Sequence, residues 1–132
     1  MLTAAPSQIV HLVSQEGTPF KAAAACHPAM VDPEDAPKVT IPIAMLPSKD
    51  EDKNAVAKWE EKVKVKHLVN WFPNQVHGFM AARYARGLSE FWSLLTLANT
   101  IPPRSGDLSD DSVRSDYEKS YKILLDFFHE HM

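Results

Sequence analysis

Val39-Thr40-Ile41-Pro42-Ile43-Ala44-Met45-Leu46 is the stretch whose reading decides the fold class. It is apolar without polar alternation, the pattern of a strand covered on both faces, as strands of parallel α/β sheets are. Pro42 has no N–H to give, so ladder pairing is expected to be incomplete near the strand's start. On the C-terminal side, Ala55, Val56, Trp59 and Val63 fall at helical spacing between Asp52 and about Val63, opposite a mixed-charge face. On the N-terminal side lies Phe20-Lys21-Ala22-Ala23-Ala24-Ala25-Cys26. Its alanines favour helix, but its shortness and its position between Pro19 and Pro28 favour a buried strand. Lys66-His67-Leu68-Val69-Asn70-Trp71-Phe72 reads as a third strand, ending at Pro73-Asn74. Strands alternating with helices imply βαβ units, a parallel sheet and the α/β class.

The flanks add helices. Ser7 after Pro6 is placed to cap a short one, with Ile9, Val10, Leu12 and Val13 as its apolar side and Gly17 as its stop. From Ser109, the residues Val113, Tyr117, Tyr121, Leu124 and Phe128 recur at steps of four, four, three and four, one apolar stripe on a long C-terminal helix. Asp110 and Asp111 sit at its positive end, His129 and His131 at its negative end.

The chain of 132 residues is the size of one ordinary globular domain, and no internal repeat is visible. Its ten prolines bracket apolar runs rather than cluster into a linker, so a single domain over 1–132 is expected. Fourteen basic against seventeen acidic side chains, net −3, argues against a nucleic-acid partner, which calls for a concentrated basic excess. One cysteine excludes an intramolecular disulfide framework and fits a reducing compartment. No apolar run is long enough to span a membrane, and the start lacks a basic region followed by an apolar one. The expected location is cytoplasmic, with no membrane partner.

In a parallel sheet, functional groups gather beyond the carboxyl ends of the strands. Three such ends carry polar residues: Cys26-His27, Ser48-Lys49-Asp50-Glu51-Asp52, and Gln75-Val76-His77-Gly78-Phe79. An acid after one strand and His-Gly after the next follow the order of the last two members of an α/β-hydrolase triad. The carboxylate would fix the imidazole tautomer and stabilise the imidazolium; the imidazole would take a nucleophile's proton. The plainer alternative is a pair of solvated loop residues.

Thr18-Pro19-Phe20-Lys21-Ala22-Ala23, His27-Pro28-Ala29-Met30-Val31-Asp32, Ile41-Pro42-Ile43 with Ser48-Lys49-Asp50-Glu51, and Phe72-Pro73-Asn74-Gln75-Val76-His77-Gly78-Phe79-Met80-Ala81-Ala82-Arg83 resemble the C-terminal part of dienelactone hydrolase family proteins. Gly106-Asp107-Leu108-Ser109-Asp110 and the final helix resemble the family's closing segment. The resemblance implies a partial α/β-hydrolase fold of about three parallel strands with flanking helices and a long C-terminal helix. It implies Cys-dependent hydrolysis of a small ester or lactone without metal or organic cofactor. By it, His77 is the triad base and Asp50 the triad acid, with Asp52 as the fallback acid.

The family's Gly-x-Cys-x-Gly elbow has no counterpart in Met1-Leu2-Thr3-Ala4-Ala5-Pro6-Ser7-Gln8. The expectation is therefore a C-terminal part of such an enzyme that hydrolyses nothing efficiently by itself. Cys26 ends a different strand and reads as a packing residue; Ser7 lacks elbow glycines. An inactive interaction fragment, self-associating through an exposed sheet edge, is the alternative. Tyr84–Ser105, 22 residues, interrupts the resemblance. It reads as a lid helix with Leu88, Phe91, Trp92 and Leu95 over the substrate, or as a retained intron. The intron's donor would begin at the third base of codon 83 and its acceptor end at the second base of codon 105. His129 and His131, two apart on a helix, share no face and make no metal pair, and Asp50-Glu51-Asp52 lacks the further oxygens of a cation loop.

Overall fold

The structure, a computed structural model, describes residues 2–3, 7–81 and 108–132. The interrupting segment Tyr84–Ser105 lies outside the described residues, as does the side chain of Ser7.

Four parallel strands lie side by side in chain order: β1 (Leu2–Thr3), β2 (Ala23–Cys26), β3 (Ile43–Leu46) and β4 (His67–Val69). The last three are those expected from the sequence, and a two-residue strand adds to them at the free side of β2. Register runs Leu2 to Ala24, Ala23 to Ile43, Cys26 to Leu46 and Ile43 to His67. The ladder on β3 begins at Ile43, one residue after the proline. Pro42 contributes only its carbonyl, accepting from the Ala23 N–H at 2.9 Å.

A crossover joins each strand to the next. Helix α1 (Ser7–Leu12) joins β1 to β2, a 3₁₀ segment (Pro33–Lys38) joins β2 to β3, and α2 (Lys53–Lys62) joins β3 to β4. After a 3₁₀ turn at Phe79–Ala81, the chain ends in α3 (Asp111–His131). Because β2 and β3 are sandwiched, all eight of their residues are buried. Alternate residues feed opposite faces, as strand geometry requires. Ala23, Ala25, Ile43 and Met45 pack with Val10, Val56 and Trp59 under α1 and α2. Ala24, Cys26, Ala44 and Leu46 pack with Phe72, Phe79, Leu124 and Phe127 under α3. Consecutive crossovers of one hand put α1 and α2 on the same face, leaving the other to α3.

Two helix faces differ in detail from their periodicity. In α1, Ile9 and Leu12 are exposed, while Val10, His11 and the following Ser14 are buried. Its inward side is therefore half polar, and both polar side chains are hydrogen-bonded: the Trp59 indole N–H donates to His11 Nε2 at 2.7 Å, and Ser14 Oγ–H to the Val10 carbonyl at 2.6 Å. In α3 the buried line is Ser120, Leu124 and Phe127, with Tyr117, Tyr121 and Phe128 half-buried beside it. Asp110 caps α3, accepting from the Ser112 N–H at 2.8 Å.

Candidate active site

The three polar strand ends meet beyond the carboxyl edge of the sheet because all strands run the same way. After β2 the His27 N–H still donates to the Leu46 carbonyl at 2.8 Å, then the backbone turns left-handed at His27, φ 39°. After β3, Ser48 makes an isolated parallel bridge to Phe72, which carries the two following loops forward together. Lys49 N–H donates to the Gln75 carbonyl at 3.0 Å, and the Gln75 amide reaches Asp116 on α3 at 2.6 Å. The loop holding His77 is thus tied to both neighbours. Gly78, φ 89°, supplies the left-handed step into the 3₁₀ turn, a conformation that favours glycine.

The sequence places the carboxylate for His77 on Asp50 or, failing that, Asp52. The acid that reaches the ring lies between them. Glu51 Oε1 is 2.7 Å from His77 Nδ1. The Glu51 side chain is 3% exposed and the His77 side chain 44%, so a buried carboxylate backs a half-exposed imidazole. Glu51 Oε2 accepts from the Ser48 main-chain N–H, which occupies its second oxygen and fixes its plane. Asp50 acts on the backbone: its Oδ2 accepts from the His77 N–H at 2.7 Å. Asp52 caps α2, with Oδ1 accepting from Asn54 and Ala55 N–H at 2.8 and 3.3 Å. With Nδ1–H held by Glu51, the lone pair of the neutral ring is presented at Nε2, the atom that accepts a proton in a triad.

A groove of about 440 Å³ opens beside this pair, lined by Pro28, Ala29, Met30, Val31 and Ala55 together with His77. Cys26 is not part of it. Its side chain packs into the layer under α3, 3% exposed, and burial pushes its thiol up to about 12. A thiol so held is not a nucleophile at neutral pH. Among the described residues no cluster of three metal-ligating side chains occurs, and no helix is long and apolar enough to cross a membrane.

Two site residues escaped the sequence reading. Glu51 carries one usable signal: Asp52 followed by Asn54-Ala55 is a helix cap, which commits that carboxylate to the backbone and leaves the preceding acid to face the sheet end. His27 has its ring buried against His77, centroids 4.9 Å apart and edge to face.

No protein-family model and no solved structure matches the chain. Two curated relatives do, both uncharacterized AIM2 family proteins of Schizosaccharomyces pombe. One is 31% identical over 114 residues, 83% of this chain and 37% of the relative; the other is 30% identical over 109 residues, 79% and 35% respectively. The chain is a distant relative of these AIM2 family proteins, and it spans just over a third of the length of each.

Proposed function

We propose that this chain carries the acid–base part of an α/β-hydrolase-type site acting on a small ester or lactone, with His77 as the base and Glu51 as the carboxylate that orients it. The observation that carries the proposal is the 2.7 Å contact of Glu51 Oε1 with His77 Nδ1 at the carboxyl end of a parallel sheet. The resemblance to dienelactone hydrolases, in which a cysteine is the nucleophile, supports the substrate class. In such a reaction His77 Nε2 takes the nucleophile's proton as the carbonyl is attacked. It then returns that proton to the departing alkoxide, and water releases the acyl group. Asp50 keeps the His77 backbone in register.

The test uses the full chain and a phenyl acetate with a good leaving group. For such an ester Nε2 itself attacks the carbonyl, the phenolate leaves, and water cleaves the acyl-imidazole. Cleavage is expected to be slow and to fall to the buffer background in His77→Ala. In Glu51→Gln it should drop on the order of tenfold, less than the roughly 10²–10⁴-fold of a positioned acid–base group, because Glu51 acts only through the ring. Equal rates for the chain and His77→Ala would defeat the proposal.

A second reading, association with another copy through the sheet edge, is favoured by one observation. Among the described residues β4 pairs only with β3, and a groove of about 660 Å³ lies between its outer side and the C-terminal half of α3.

A further inference from the structure

We propose that His27 is the positioning residue of the His77–Glu51 pair, its ring acting as a wall that keeps the His77 imidazole turned onto the carboxylate. The inference rests on the functional reading above, which makes that orientation matter. The His27 ring sits between two aromatic neighbours, 4.9 Å from His77 at 78° and 6.3 Å from Phe79 at 65°. It is 3% exposed, and among the described residues neither Nδ1 nor Nε2 has a hydrogen-bond partner. Burying an imidazole with both nitrogens unpaired costs stability, and buried polar groups are otherwise almost always paired.

The backbone carries a second cost at the same residue. A φ of 39° is left-handed for a side-chain-bearing residue, and Pro28 restricts the conformations through which it could relax. Strain and an unsatisfied polar group coincide on the ring that, among the described residues, packs edge to face on the candidate base, which marks function rather than stability.

The groups facing His27 bear on its own charge. His77 comes from the loop beyond β4 and Glu51 from the loop beyond β3. Cys26, its neighbour on β2, holds a neutral thiol. Burial pulls His27 below the ordinary histidine value, His77 adds to the effect, and Glu51 opposes it. His27 is therefore held toward its neutral form.

Nuclear magnetic resonance of the full chain tests both parts without turnover. The His27 Cε1–H shift, assigned with His27→Phe, is expected to titrate with a midpoint below that of an ordinary histidine. The downfield His77 Nδ1–H signal is expected in the unsubstituted chain and in His27→Phe, which keeps a ring, and to be lost in His27→Ala. If His27→Ala does not fold, His27→Leu, which fills the space without an aromatic edge, takes its place with the same loss expected. A His27 midpoint at or above the ordinary histidine value, retention of the signal in the ring-less variant, or its loss in His27→Phe would each overturn the proposal. A chain that cleaves no ester yet shows the expected pattern sinks the hydrolase reading and supports the positioning role.

Discussion

Asp50, Glu51 and Asp52 are consecutive acids of similar chemistry, and the path of the chain gives each a different partner. Asp52 faces forward into the first turn of α2, Glu51 backward to the sheet end, and Asp50 across to the His77 backbone. Asp52→Ala is expected to lower stability by about 1 kcal/mol, the usual cost of an N-cap. In thermal unfolding that is a fall of roughly 3–6 °C for a chain this size, with the His77 Nδ1–H signal still in place. Loss of that signal without loss of stability would return Asp52 to the role of triad acid. Its capping role went unread in the sequence, where Asp52 stands as the fallback acid, although an Asp before an amphipathic run is a start signal. Nor does the sequence fix which neighbouring carboxylate meets the imidazole, since a shift of one residue turns a side chain to a different side of the loop.

At the scale of elements, α2 and α3 were legible and the inward face of α1 was not. Apolar residues at helical spacing announce a buried stripe, whereas His11 and Ser14 go inside because partners wait for them there. His11 and Trp59 are both fully buried, and their 2.7 Å hydrogen bond links α1 to α2 across 48 residues of chain. Trp59→Phe keeps most of the apolar surface but removes the donor, leaving His11 Nε2 without it. Urea unfolding is expected to show a loss of about 2 kcal/mol, between the cost of an orphaned buried polar group and that of a smaller core ring. A change below about 0.5 kcal/mol, the range of ordinary surface substitutions, would show that the bond contributes little. The short strands follow another logic: β2 is mostly alanine, a helix former by propensity, and is a strand because small buried side chains let layers close on both of its faces.

Among the described residues of the molecule, the sheet leaves β4 unpaired on its outer side, with Leu68 half-buried and His67 exposed. Edge strands template pairing with other chains, and Lys64 and Lys66 beside this one moderate that tendency rather than remove it. Sedimentation velocity is expected to show reversible self-association that strengthens with concentration and is abolished by Leu68→Lys. A monomer independent of concentration over the micromolar range would count against the second reading.

The class and layer plan are written in the chain. Short unbroken apolar runs between prolines favour strands covered twice, and helical stripes between them supply the covers. The sequence also brought out His77 as a candidate, since an acid and then His-Gly after successive parallel strands must end on one edge. The tertiary structure alone decided the partners. Glu51 reaches the imidazole, Asp50 takes the backbone, and His27 arrives from a strand 50 residues earlier. Periodicity reports which way a residue points relative to its own element. Contacts between loops depend on how three separate strand ends are brought level, which only the packed sheet fixes.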